Sequence, residues 1–295
     1  GGGGNDVDDD SGDFTGGSGV GANGVVTFWR YYPSAGGAVG TAKAVLETSG
    51  NDFIIAGSQG DDFGFSNQDI HLIRTGSNRI AKDEKTIDLP GGSIANDIVE
   101  TGNGDVTAVG YAGSETDNDL VLLSSGADFS QKWLKSFDGG VGYDEGYALL
   151  KTQNGYAAAG LSLSDNDPEQ LDIWLLQTDE NGTLVPGSER RYGGHGGNAG
   201  YDLIPTKNDG KNGYAIAGIG VPDGGVGGEA FLVKTDASGN EEWHKSYGVG
   251  RIHSLQQTRD GGYILTGINA PFWEGEPNFP VDLLVIKTDA DGNEE

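Results

Sequence analysis

The sequence predicts an all-β protein: a five-bladed β-propeller of four-stranded blades, its ring closed by an N-terminal strand at about residues 25–32. Three observations lead there. A two-line repeat recurs along the chain at a period of about fifty residues. The repeats consist of short β-rich runs split by Asn-Gly, Asp-Gly and Gly-Gly turns, with no helical periodicity. Finally, a tryptophan strand opens the repeat region and is missing from its end.

The first line of the repeat reads ETSGNDFIIAG from Glu47, ETGNGDVTAVG from Glu100, KTQNGYAAAG from Lys151, TKNDGKNGYAIAG from Thr206 and TRDGGYILTG from Thr258. Its closing glycines are Gly57, Gly110, Gly160, Gly218 and Gly267. The second line reads DIHLIRT from Asp69, DLVLLSS from Asp119, DIWLLQT from Asp172, EAFLVKT from Glu229 and DLLVIKT from Asp282. Each copy supplies strands a, b, c and d, and a period near fifty with four strands is that of a propeller blade.

Fourth strands follow the first four copies as KTIDLP from Lys85, QKWLKSF from Gln131, GSERRYG from Gly187 and EEWHKSY from Glu241. The fifth copy ends at TDADGNEE without one, while VVTFWRYYP (Val25 to Pro33) precedes the first strand a with no partner of its own. Trp29 stands where the fourth-strand tryptophan belongs, so this segment is expected to complete the fifth blade and remove the open edge. The organisation is then a tether over 1–24 and one propeller over 25–295. Its blades lie at roughly 41–90, 91–138, 139–193, 194–248 and 249–295 plus 25–32.

The tether is Gly, Ser and Asp, with too little apolar surface to offset its ordering entropy. It resembles the stretch after the lipidated cysteine of mature bacterial surface lipoproteins; that cysteine is not in this chain. Asp6, Asp8 and Asp10 have the spacing of a calcium loop, but Ser11 stands where such loops need glycine and no bidentate glutamate follows. No cofactor is expected, and calcium is the one cation these aspartates would take. Formal net charge is −27, from 45 acidic and 18 basic residues, a field that repels nucleic acid and anionic lipid. There is no cysteine, so no disulfide or thiol chemistry, and no apolar run of membrane-spanning length.

WLKSFDGG, GGYILTG and DLLVIKTDADGN carry a resemblance to the repeat of secreted or surface β-propeller proteins of bacteria and archaea, over roughly residues 25–295. It implies the propeller fold and a secreted or cell-surface location, the outer membrane if the cell is Gram-negative. The first copy departs from the pattern at RTGSNRIAKDEKTIDL, which lacks both the Asp-x-x-Gly turn and the tryptophan. TDENGT, TDASGN and TDADGN are similar to the Asp-box turn of sialidase propellers. Their expected task is local: aspartate oxygens accept turn N–H groups and glycine takes the left-handed position. A sialidase would add three arginines around a pocket. The seven arginines, at 30, 74, 79, 190, 191, 251 and 259, share no register.

Antiparallel strands place the b–c and d–a connections on one face of the disc. The b–c loops are long and all different, and variable loops on a rigid scaffold are where binding residues collect. Phe63 and Phe65 in the first, Tyr111 in the second, and Phe272, Trp273 and Phe279 in the fifth are the aromatic candidates, edged by Asp61, Asp62, Glu274 and Glu276. Aromatics there would stack on sugar rings, anchor a protein partner, or pin their own loops down. Toward the axis, Ala44, Asp97, Ala148, Asp202 and Ser254 share one register of strand a. Asp97, Asp202 and Ser254 are the polar channel candidates, with Asp144 and Glu145 nearer the mouth. Paired carboxylates across a funnel are similar to those of five-bladed glycosidases, which add a third acid that this register lacks. His253 and Lys43, one position earlier, read as lone structural residues.

Three functions are consistent with these residues. The favoured one is a non-catalytic cell-surface or secreted scaffold, bound to other surface proteins or part of an envelope assembly. The alternative is a glycan-binding module that takes polysaccharide through its loop aromatics. A glycoside hydrolase ranks third, and no enzyme activity is expected, because the sequence carries no nucleophile-and-base motif and no metal-ligand histidine cluster.

Overall fold

The computed structural model describes residues 18–20, 26–28, 39–60, 68–76, 80–114, 116–140, 142–164, 167–193, 196–208, 211–221, 228–269 and 282–295. Among them there is no helix, and thus none long and apolar enough to cross a membrane.

The strands form five antiparallel sheets in chain order. The first holds β3 (Val39–Glu47), β4 (Phe53–Gly60), β5 (Gln68–Thr75) and β6 (Ala81–Ile87). The second holds β7 (Ser93–Gly102), β8 (Asp105–Gly113), β9 (Asn118–Ser125) and β10 (Gln131–Phe137). The third holds β11 (Asp144–Lys151), β12 (Gly155–Ser164), β13 (Asp167–Asp179) and β14 (Arg190–Tyr192). The fourth holds β15 (Ala199–Asn208), β16 (Lys211–Gly220), β17 (Glu229–Asp236) and β18 (Glu241–Val249). The fifth has three strands among the described residues: β19 (Arg251–Gln257), β20 (Tyr263–Asn269) and β21 (Asp282–Thr288).

The first strands of successive sheets adjoin one another, β3 to β7, β7 to β11, β11 to β15 and β15 to β19. They therefore form the inner wall of a propeller-like array. Apolar side chains fill each space between consecutive sheets. Ile54, Ala56, Ile70 and Leu72 of the first sheet meet Ala95, Ile98, Val106 and Leu123 of the second. Ala215, Ala217 and Leu232 of the fourth meet Leu255, Leu265 and Ile286 of the fifth. Strands buried on both faces read as near-continuous apolar runs, which is why the second line of the repeat looks as it does.

The closing strand differs from expectation. Val26–Phe28 (β2) pairs with Ser18–Val20 (β1) in a short hairpin, and not with β21. A hairpin joined through residues 21–25 closes a short loop, whereas pairing with β21 brings together segments from opposite ends of the chain. The second costs more closure entropy.

The c–d turns have the predicted chemistry. Asp236 Oδ1 accepts from the N–H groups of Ser238 and Asn240, both at 2.8 Å, and Gly239 has φ 78°. Asp179 with Gly182 and Asp289 with Gly292 repeat the arrangement. The Asn240 side chain and the turn N–H groups hold the Asp236 carboxyl below its ordinary range. Its stabilisation is present above the ordinary carboxylate range and is lost as pH falls through the lowered value. Asp236→Ala is expected to lower Tm by about 3 °C at pH 7. In a thermal melt repeated at acid pH, that difference should shrink.

Candidate functional site

Every inner strand carries a β-bulge at one register. The pairing skips a residue between Ala42 and Ala44, Ala95 and Asp97, Gly146 and Ala148, Gly200 and Asp202, and Ile252 and Ser254. The skipped residues are Lys43, Asn96, Tyr147, Tyr201 and His253. The closing glycine of each repeat faces this bulge on strand b. A Cβ on Gly57, Gly110, Gly160, Gly218 or Gly267 would lie 1.7–1.9 Å from the carbonyl oxygen of Thr41, Ile94, Glu145, Ala199 or Arg251 respectively. Only glycine lets the two backbones come so close. A bulge re-aims the extra side chain, and five in register bring one position of each repeat to the inner wall, a set called the ring below.

The ring is polar and aromatic. Tyr147 and Tyr201 meet edge to face, centroids 5.2 Å apart at 62°, and Tyr201 stacks on His253 at 5.7 Å and 26°. Asn96 Nδ2 donates to Gly146 O at 2.8 Å, tying the second sheet to the third. Glu145 adjoins the ring: it accepts from the Tyr147 hydroxyl, and from Asn118 Nδ2 at 3.5 Å. Burial pushes the Glu145 carboxyl up, against the opposing pull of these donors and of Lys43. Burial likewise raises the Tyr147 and Tyr111 hydroxyls, with the Glu145 charge adding to both. Burial and the Arg251 charge lower His253, so its ring favours the neutral form.

Asp97 and Asp202 have a different task from the one their register suggests. Asp97 accepts from its neighbour Ile98 N and from Leu149 N of the next sheet, both at 2.8 Å. Asp202 does the same with Leu203 N at 2.8 Å and Leu255 N at 2.7 Å. Each carboxylate is a staple between adjacent inner strands, with both oxygens occupied by backbone. The two still sense each other, since Asp202 contributes to raising Asp97. Ser254 is exposed beside Asp202 and hydrogen-bonds with it.

Of the loop candidates, Tyr111 is described. It lies half-buried within electrostatic reach of Glu145 and Tyr147. Phe63, Phe65, Asp61, Asp62, Phe272, Trp273, Phe279, Glu274 and Glu276 lie outside the described residues, as do Asp6, Asp8 and Asp10. The sequence reading took His253 and Lys43 as lone structural residues and passed over Asn96, Tyr147 and Tyr201, because the five are chemically unlike; His253 is not alone but stacks on Tyr201, and Lys43 acts on Glu145. The usable signal was the constant glycine, which marks a bulge opposite whatever residue fills that register.

One group of three carboxylates among the described residues could hold a cation: Asp119, Asp138 and Asp144, with ligand atoms within 4.8 Å of one another. Arg191 already lies there, donating from Nη2 to Gly139 O at 2.9 Å and opposing the burial that raises Asp144.

No family model and no curated protein sequence matches the chain. Solved structures similar to it include a levansucrase variant of B. megaterium (10% identity, 93% of this chain and 86% of that one, TM-score 0.49). Another is a Bacillus subtilis levansucrase variant in complex with oligosaccharides (9% identity, 88% and 86%, TM-score 0.45). A third is the Bombyx mori GH32 β-fructofuranosidase BmSUC1 (13% identity, 84% of this chain, TM-score 0.43). This chain spans 60% of the length of the silkworm protein. The favoured expectation, a non-catalytic scaffold with no enzyme activity, is corrected on this finding: these similar structures are carbohydrate-active enzymes by name. The expectation rested on missing sequence motifs, and acids and aromatics gathered from separate blades leave no contiguous motif. At 9–13% identity the likeness assigns no role to any residue here.

Proposed function

We propose that the five sheets are the blades of a five-bladed propeller whose axial mouth binds a neutral carbohydrate. The observation that carries this is the bulged ring, which brings two tyrosines and a histidine into one contiguous aromatic surface beside the half-buried Glu145 carboxylate. Sugars present apolar C–H faces and a rim of hydroxyls. Tyr201 and His253 offer ring faces, Glu145 an acceptor, Asn96 an amide and Lys43 a cationic donor, the mixture a polyol needs. A net charge of −27 disfavours acidic polysaccharides, so the ligand is uncharged. Tyr111, at the end of the second b strand, extends the same surface toward the b–c loops.

Calorimetric titration with a panel of neutral oligosaccharides tests this, with chromatography of the same mixtures to detect cleavage or transfer products. Tyr201→Ala and Glu145→Gln are each expected to weaken binding about tenfold or more, with an unchanged β circular-dichroism spectrum. Wild-type affinity in both variants, or no binding to any neutral sugar, would overturn the reading.

A further inference from the structure

Three aspartates meet where the second sheet adjoins the third. Asp119 lies at the start of β9, Asp138 follows β10 and Asp144 opens β11. One carboxylate oxygen from each lies within 4.8 Å of the others. Two ligands of a single calcium ion are at most about 5 Å apart. Acidic groups are common on a chain of net charge −27, and proximity alone would not make these a site. Asp144 supplies the further observation. It is 1% exposed, and among the described residues no hydrogen bond reaches its Oδ1. Ser162 Oγ lies beside it and eases its burial. A hydroxyl has one proton, however, and this one is directed to Leu163 O at 3.3 Å. A buried carboxylate oxygen without a donor calls for a cation.

We propose that Asp119, Asp138 and Asp144 bind a calcium ion that ties the second sheet to the third. Each carboxylate has one oxygen held by a neighbouring donor. Asp144 Oδ2 accepts from Gly139 N at 2.6 Å, Asp138 Oδ1 from Gly140 N at 2.9 Å and Asp119 Oδ2 from Ser136 Oγ at 2.7 Å. Donors of this kind orient a ligand and leave its second oxygen for the ion. Arg191 does not neutralise the group. Its field acts on Asp144 and also on Asp172, and its Nη2 donates to Gly139 O at 2.9 Å and lies 3.6 Å from Glu189 Oε1. One guanidinium shared among these acids leaves the three aspartates with surplus negative charge. The ligands are all oxygen, which suits a hard cation. Asp138 is exposed and Asp119 half-buried, so water can complete the shell. Calcium accepts such an irregular, partly hydrated set, whereas magnesium demands a near-ideal octahedron. The site is separate from Asp6, Asp8 and Asp10, the aspartates whose spacing suggests calcium in the sequence.

Calorimetric titration of the chelator-treated full chain with calcium chloride tests this, in about 0.15 M sodium chloride to screen the general attraction of an acidic protein for cations. A saturable site with Kd below about 1 mM is expected. Asp119→Asn and Asp138→Asn should each weaken it about tenfold or more. Asp83→Asn, on the exposed outer strand of the first sheet, should leave it unchanged. Magnesium chloride should bind about tenfold more weakly than calcium, or worse. No saturable calcium binding, wild-type affinity in both triad variants, or equal affinity for magnesium would overturn the inference. Hydrogen exchange on the unmodified chain keeps the test open if the variants do not fold. Replacing sodium chloride by calcium chloride at matched ionic strength should slow exchange over 117–121 and 137–145 and leave 81–87 as it was. Equal exchange over 117–121 and 137–145 with and without calcium would refute the site.

Discussion

Gly160→Ala is expected to cost about 4 kcal/mol of stability or more, beyond the usual range for a surface or strand substitution. The added methyl would sit 1.7 Å from the Glu145 carbonyl oxygen and 2.8 Å from its carbonyl carbon. Both are backbone atoms, so no rotamer change relieves the clash, and the strands must separate where β11 bulges. That shift would carry Glu145 and Tyr147 with it, so the variant should also lose carbohydrate affinity wherever it remains folded. Gly50→Ala is the control: its nearest contact would be Thr48 Oγ1 at 3.7 Å, and its expected effect is within about 0.5 kcal/mol. Urea unfolding of the two variants beside wild type measures the contrast. A Gly160→Ala protein as stable as Gly50→Ala would mean that β11 and β12 do not approach so closely.

Asp97→Asn is expected to be nearly neutral at pH 4 and to become stabilising relative to wild type as pH rises to 7. Burial pushes the Asp97 carboxyl up to about 6, outweighing the two backbone donors from Leu149 and Ile98, with Asp202 adding a further upward push. The folded protein therefore holds a proton here that the unfolded chain releases near the ordinary carboxylate value of 3.8. A raised pKa contributes stability below the unfolded value, and that contribution is lost as pH climbs through the folded one. Between about pH 4 and pH 6 wild type should lose on the order of 2 kcal/mol through this group. Asparagine keeps one acceptor for the staple and carries no charge, so its stability should lack that slope. Asp97→Ala removes both acceptors and should destabilise at every pH by about 2 kcal/mol. Paired unfolding curves at pH 4, 5, 6 and 7 separate these cases. An Asn variant weaker than wild type by a constant amount across the range would show that the backbone donors keep Asp97 ionised throughout.

The five sheets were legible in the sequence because each depends on local chemistry repeated five times. Asn-Gly and Asp-Gly turns split the strands, apolar runs mark those buried on both faces, and the TDxxGN segments fold into turns through their own aspartates. Even the closing glycines stand out as a pattern before their reason is known. What the sequence could not display was what those glycines face. The bulge is a relation between two strands, and its consequence, a ring of Lys43, Asn96, Tyr147, Tyr201 and His253, is a relation among five. These residues have no common chemistry, and similarity between repeats hides a site built from the position where the repeats differ. The same limit applies to Asp97 and Asp202. A shared register makes them look like facing acids, yet each turns back to bond the backbone of the following sheet.

By itself, then, the sequence determined the strands, their turns and their fivefold order, since hydrogen-bonded turns and alternating burial act over neighbouring residues. Tertiary structure alone decided which side chains the bulges bring to the inner wall, which carboxylates are consumed as staples, and that Val45, Leu283 and Val285 face solvent. Those outcomes depend on how closely separate backbones approach and which surfaces they leave uncovered.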